Sequence, residues 1–137
     1  MIVKRLILLV VVICTTRFGA SAGALDSLKT LAANEKDPSR KLELLNSISK
    51  IAAEGNFDVA KKEIETQYNY ARHIGDSKGV VKSLLLMSKI YMNTQHVDSS
   101  LKLSEKALFL ARAIKDSNLI ARVYLLKGDA FHELNDL

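Results

Sequence analysis

The chain has 137 residues and a mass of 15.2 kDa, which is enough for one ordinary domain. A composition of 48% hydrophobic and 26% charged residues excludes a disordered or collagen-like chain. The single cysteine excludes both an internal disulfide and a cysteine-ligated zinc site. The formal charge of +5 points to an anionic partner only if the basic residues belong to the folded part.

The first 22 residues predict a secretory signal peptide. Lys4 and Arg5 precede an unbroken apolar run at 6–14, and residues 20–22 read Ala-Ser-Ala, an A-x-A cleavage site. Nine apolar residues extend only about 14 Å as a helix, so a stable membrane span is not expected. Since Cys14 ends the run, a lipid-modified or uncleaved anchor is the alternative, and a buried strand is the third interpretation.

Cleavage after the leader changes the charge balance. Lys4, Arg5 and Arg17 lie in the leader, whereas all acidic residues follow it. The mature chain then has seventeen basic and fifteen acidic residues, a net charge of +2. We therefore expect an exported protein, periplasmic or on the extracytoplasmic face of the membrane, without a nucleic-acid partner.

Apolar residues recur at spacings of three and four after the leader, which is typical of amphipathic helices. Asp37, Asp76 and Asp116 provide helix-capping side chains between these runs. The pattern predicts a short helix at about 25–33, followed by helices at about 39–53, 58–74, 78–93, 98–114 and 118–133. The fold class predicted is all-α.

The helices repeat with a period of forty residues. Shifting the chain by forty gives twelve identities in 57 overlapping positions, among them Arg72 with Arg112 and Asp76 with Asp116. Such a period predicts stacked helix pairs. The domain prediction is a signal peptide at 1–22, a capping helix and linker at 23–37 and about two and a half repeats at 38–137, divided into 38–76, 77–116 and an incomplete 117–137. We expect the last helix to expose an apolar face, typical of a fragment or of a chain that associates with another.

The helix pairs resemble tetratricopeptide repeats. In that family the first helix carries large, apolar, small and aromatic residues at positions 4, 7, 8 and 11. The matching residues are Leu84, Met87, Ser88 and Tyr91 in one unit and Tyr124, Gly128 and Phe131 in the next. Small residues of the second helix match at Ala60, Ser100 and Ala107, and Gln67 departs from the pattern. The resemblance implies antiparallel helix pairs stacked as an α-solenoid.

A narrower resemblance concerns the start of the mature chain and the helix ends. The signal peptide, Leu25-Asp26-Ser27-Leu28 and the Ala-Arg-x-Ile-x-Asp-Ser helix ends are similar to the extracytoplasmic repeat region of bacterial sensor histidine kinases. This likeness implies a sensor whose output module lies outside these 137 residues. Any kinase activity is then expected beyond residue 137.

The sequence offers no catalytic signature. It contains no phosphate-binding glycine motif, no H-E-x-x-H and no C-x-x-C. His73, His96 and His132 lie at unrelated repeat positions, so no metal site is predicted. We expect a non-enzymatic protein without a cofactor.

The family resemblance implies a concave groove lined by positions 2, 5, 9, 12 and 13 of each first helix. The candidate partner-binding residues are Lys82, Leu85, Lys89, Asn93, Arg122, Leu125, Asp129 and His132, with Met92 and Glu133 beside them. In the first unit the same positions fall on Leu42, Leu45, Ser49, Ala52 and Ala53. Such a groove can hold an acidic or C-terminal peptide group. A solvated helix face is the alternative interpretation of each residue.

These features together predict a protein or peptide interaction module, the sensor region of a signal-transduction protein. The alternative is a free periplasmic scaffold or assembly factor without an output domain. Self-association through the open last helix is a further expectation.

Overall fold

The computed structural model describes residues 23–135, which form six helices and no strand. Helix α1 covers residues 23–34. The other helices are α2 (Pro38–Ala52), α3 (Phe57–His73), α4 (Ser77–Asn93), α5 (Val97–Ala113) and α6 (Ser117–Asn135). The all-α prediction is confirmed for these residues, and the predicted signal peptide lies outside them.

Aspartate side chains start the first helices of the predicted units. Asp37 accepts a hydrogen bond from the Arg40 N–H at 2.8 Å, and Asp76 accepts one from the Gly79 N–H at 2.7 Å. Each carboxylate satisfies one of the N–H groups that a helix start leaves without a partner. Pro38 follows its cap at the start of α2, where the missing N–H costs nothing. The capping predicted for these aspartates is confirmed.

Asp116 both caps α6 and links it to α4. Its carboxylate accepts from the Leu119 N–H at 3.0 Å and lies 2.9 Å from the Lys78 ammonium. The hydrogen bond with Lys78, followed by that from Leu119, lowers the pKa of this carboxyl from its ordinary value of 3.8.

Short turns reverse the chain between helices. The turn after α3 places Gly75 at φ 73°, a left-handed conformation that glycine adopts without a Cβ penalty. The Asp76 N–H then donates a hydrogen bond to the Ala71 carbonyl at 2.9 Å. Lys115 occupies the equivalent left-handed position after α5, at φ 54°.

Each helix from α2 to α6 packs against the next, and α4 also contacts α2 and α6. The largest core cluster lies between α3, α4, α5 and α6, where Ala71, Val81, Ala107, Ala111 and Val123 are completely buried. Small side chains at these positions let the helix axes approach closely.

A buried serine cluster joins α4 to α5. The Ser88 hydroxyl donates to the Ser100 carbonyl at 2.8 Å and lies 2.8 Å from the hydroxyls of Ser100 and Ser104. All three side chains are completely buried. The three hydroxyls hydrogen-bond with one another, so no polar group of the cluster is left without a partner where α4 and α5 pack closely.

Candidate functional site: a groove along helix α4

An open groove of about 640 Å³ runs along the C-terminal half of α4. It is bounded by the end of α2 with the turn that follows it, and by α6. We call it the α4 groove. Its lining comprises Lys50, Ala53, Glu54, Gly55, Phe57, Ala60, Leu85, Leu86, Lys89, Ile90, Asn93, Thr94, Arg122 and Leu126.

The floor of the groove is apolar and rigidly packed. Leu85, Ile90 and Ala60 are buried, so only their surface atoms reach the groove. Phe57, at the start of α3, meets the ring of Tyr91 edge to face with a centroid distance of 5.3 Å. This aromatic contact joins the α2–α3 turn to α4 and keeps that side of the groove in place.

The rim of the groove is basic. Lys50 comes from α2, Lys89 from α4 and Arg122 from α6, and all three side chains are exposed. None of them belongs to an ion pair with a carboxylate of residues 23–135. The lining contains one carboxylate, that of Glu54. Three cations that face a single carboxylate around an apolar floor can donate charge-assisted hydrogen bonds to an incoming carboxylate.

Four of the eight candidate residues line this groove. Leu85, Lys89, Asn93 and Arg122 come together there. The other four, Lys82, Leu125, Asp129 and His132, do not line it. Of these, Lys82 is half-buried on α4, whereas the three α6 residues are exposed.

The positions predicted for the first unit are wrong by one residue. Leu42, Leu45, Ser49 and Ala52 are buried, and only Ala53 of that set lines the groove. The reason is that α2 and α4 start 39 residues apart rather than forty, as their caps Asp37 and Asp76 do. The Ser49 hydroxyl is used internally and donates to the Glu63 carbonyl at 3.2 Å.

Lys50 is the groove residue that the forty-residue shift misses. A shift of 39 aligns the run Ser49-Lys50-Ile51 with Ser88-Lys89-Ile90, so that Lys50 matches Lys89. Both lysines lie on the groove rim, and the serines before them are both completely buried. The repeated Ser-Lys-Ile was therefore a usable signal for this site.

The aromatic residues of the family pattern fall in two different environments. Tyr91 is half-buried between Phe57 and His96, so its ring packs within the fold. Tyr124 and Phe131 are 49% and 52% exposed, so in the described chain they do not fill an inter-helix gap. Tyr124 instead accepts a hydrogen bond from the Arg112 guanidinium.

The described residues contain neither a metal-ligand cluster nor a membrane-spanning helix. Within residues 23–135 no three histidine, cysteine or acidic side chains are grouped as metal ligands would be. No helix in that part of the chain has the length and apolar character needed to cross a bilayer. Comparison of the chain with protein-family models, curated proteins and solved structures finds no match.

Proposed function

We propose that the chain is a TPR-like α-solenoid. In this arrangement α2 pairs with α3, α4 pairs with α5, and α6 is the first helix of a third unit, with α1 as a cap. Two sets of contacts support the proposal: the first helices α2, α4 and α6 touch in succession, and each second helix touches the first helix that follows it. The forty-residue period and the buried small residues at equivalent positions support the same arrangement.

The proposed function is binding of an acidic peptide segment in the α4 groove. The observation that carries it is the set of three cations, Lys50, Lys89 and Arg122, which surround an apolar floor and form no ion pair with a carboxylate of residues 23–135. A peptide can place a C-terminal or side-chain carboxylate among the cations and an apolar side chain over Leu85. The Asn93 amide can donate to the peptide backbone. No step of this function is catalytic, and no cofactor takes part.

In the cell, this module is proposed to act outside the cytoplasm as the ligand-binding region of a signal-transduction protein. The leader sequence supports export, and the likeness to sensor kinase repeat regions supports a signalling role. Reading the gene past codon 137 separates this role from a free scaffold. A second apolar span of about twenty residues followed by kinase motifs supports the sensor, and a stop codon supports the scaffold.

Peptide binding can be tested with a fluorescent random pentapeptide library that has a free C-terminal carboxylate, compared with the same library amidated. We expect the carboxylate library to bind and the double variant Lys89→Ala/Arg122→Ala to weaken its binding about tenfold or more. Fluorescence anisotropy measures the affinity, and circular dichroism checks that helicity is unchanged. Equal binding by the double variant and the unmodified chain would sink the groove hypothesis.

A matched control removes two positive charges elsewhere. Lys62 on α3 and Lys102 on α5 are exposed, equivalent under the forty-residue shift, and outside the α4 groove. The variant Lys62→Ala/Lys102→Ala should keep the affinity of the unmodified chain within a factor of about two, since screened surface charges contribute little. A loss equal to that of the groove variant contradicts site-specific binding and indicates a general charge effect.

A further inference from the structure

A second pocket lies at the other end of α4, between the end of α3 and α5. Its volume is about 420 Å³, and it shares no lining residue with the α4 groove. We call it the Tyr68 pocket, after the half-buried tyrosine in its wall. Ser77, which lines this pocket, and Lys89, which lines the groove, are twelve residues apart on α4, about 18 Å along the helix axis.

Two cations converge on Tyr68 from different helices. The Arg72 guanidinium, one turn further along α3, lies 5.7 Å from the centroid of the ring. The Lys106 ammonium of α5 lies 5.4 Å from the same centroid and donates to the Tyr68 hydroxyl at 3.1 Å. One aromatic ring thus contacts two cations that come from different helices.

No carboxylate of residues 23–135 forms an ion pair with either cation. The pocket lining contains neither aspartate nor glutamate, and Arg72 and Lys106 form no ion pair within the described part of the chain. Neighbouring acids have other partners: Asp76 caps α4, and Glu105 pairs with Lys127 at 3.8 Å. Glu65, one turn before the tyrosine, lines an adjoining depression together with Tyr68 and Lys106, but it forms no ion pair with Arg72 or Lys106 in the described chain.

The polar groups of the pocket are hydrogen-bond donors. Arg72 and Lys106 donate only, and the hydroxyl hydrogens of Tyr68 and Ser77 are not used in any hydrogen bond of the described chain. Three terminal oxygens of a phosphate group match four such donors better than the two oxygens of a carboxylate do. The apolar part of the lining, Ala71, Val80 and Leu110, can contact a carbon group attached to the phosphate.

We propose that the Tyr68 pocket binds the phosphate monoester of a small soluble molecule that carries an aromatic or apolar group. Near neutral pH such a phosphate has a charge of about −1.5 to −2, which balances the two cations. Its oxygens accept from Arg72, Lys106 and Ser77, while its carbon group lies against Val80 and Leu110. The site is independent of the peptide proposed for the α4 groove, because the two share no residue.

Titration calorimetry of the full chain with phenyl phosphate tests the proposal. We expect binding that weakens about tenfold or more in the variant Arg72→Gln/Lys106→Gln. A second variant, Ser77→Asp, keeps both cations but adds a carboxylate to the pocket, and it should weaken binding to a similar degree. An acidic residue in the first turn favours the helix, so this variant is expected to fold.

The control variant changes two basic residues outside the Tyr68 pocket, one of them at the equivalent repeat position. Arg112 is the forty-residue equivalent of Arg72, and Lys102 lies one turn before Lys106; neither lines the Tyr68 pocket. The variant Arg112→Gln/Lys102→Gln loses the same charge and should bind phenyl phosphate as the unmodified chain does. An equal loss in this control overturns the proposal, as does unchanged binding in the pocket variants.

Three further probes identify the ligand class. Inorganic phosphate should bind more weakly than phenyl phosphate because it lacks the carbon group, and benzoate should bind more weakly because it lacks the third oxygen. Equal affinity for benzoate and phenyl phosphate overturns the assignment to phosphate. Cosedimentation with phosphatidylcholine vesicles containing phosphatidic acid, without any binding of phenyl phosphate, overturns the soluble ligand in favour of a lipid headgroup.

Discussion

A single carboxylate, that of Asp116, supports both the start of α6 and its contact with α4. It accepts from the Leu119 N–H and pairs with Lys78, and these interactions lower its pKa. A carboxyl whose pKa is lower in the folded than in the unfolded chain stabilises the fold above the unfolded value. That stability is complete above the ordinary value of 3.8 and is lost as the pH falls through the lower, folded value.

The variant Asp116→Asn tests this pH dependence. Asparagine can still cap the helix but cannot form the ion pair, so we expect lower stability than in the unmodified chain near neutral pH. The difference in unfolding free energy between the two chains should shrink as the pH falls below 3.8 and through the lower pKa of the folded chain, where the Asp116 carboxyl becomes protonated. Denaturant unfolding of both chains at a series of pH values measures this difference in unfolding free energy. In the background Lys78→Gln the pH-dependent part should be smaller, and a difference that stays constant from acid to neutral pH contradicts the prediction.

Gln67 shows where residue types alone mislead. Its position in the repeat takes a small residue in α5, Ala107, and the sequence marks the glutamine as a departure. Gln67 is nevertheless completely buried; its amide nitrogen donates to the Asn46 side chain at 3.2 Å, and its Oε1 has no partner in the described chain. The buried position follows from the helix period. The polar contact across to α2 does not, because it depends on how two helices cross.

Local sequence signals were sufficient to predict the helices. The spacing of apolar residues and the capping residues predict helices α2 to α6. Each predicted helix begins one residue too late, because the first helical residue follows its cap directly. The alignment of one repeat unit with the next was predicted less accurately. Helices α3 and α5 begin forty residues apart, as do α4 and α6, so most identities favour a shift of forty, whereas the caps of α2 and α4 are 39 residues apart. Because of this difference of one residue, the groove positions predicted for α2 fall on buried core residues, and Lys50 is not among them.

Gly79 lies where α4 passes close to α2 and α3. A Cβ at this position would lie 2.8 Å from a terminal methyl of Leu42 and 3.0 Å from the Cβ of Ala71. The leucine methyl can move, but the alanine Cβ is fixed to the α3 backbone. We expect Gly79→Ala to destabilise the chain by about 1–3 kcal/mol through overpacking, as measured by denaturant unfolding.

Gly128 provides the matched control, since it also lies within a helix. A Cβ there would meet nothing within 4 Å. Gly128→Ala should stabilise the chain by about 0.5–1 kcal/mol through helix propensity alone. Opposite signs for the two substitutions support close packing at the start of α4. Stabilisation by both would contradict it.

Across the whole molecule, α4 is the central element. It contacts α2, α3, α5 and α6, and its two ends face different pockets, the α4 groove and the Tyr68 pocket. The packed serines and leucines between these ends hold the two sites at a fixed separation. Their positions follow from helix stacking, which the sequence period predicts. The lack of ion pairs between their cations and the carboxylates of residues 23–135 depends on side-chain placement across helices, which the period does not give.

Within the described chain α6 contacts only α4 and α5, which leaves one of its faces exposed. The positions equivalent to Leu84, Ser88 and Tyr91, which pack within the fold on α4, are Tyr124, Gly128 and Phe131, and they are exposed on α6. Because the α4 positions lie beneath a second helix, we expect two copies of the chain to associate through α6 at high concentration. Sedimentation velocity should show a concentration-dependent dimer that Phe131→Glu shifts to monomer. Phe109, 74% exposed on α5, is the control, and Phe109→Glu should leave the dimer intact. A monomer at every concentration, or equal loss of the dimer in both variants, contradicts association through α6.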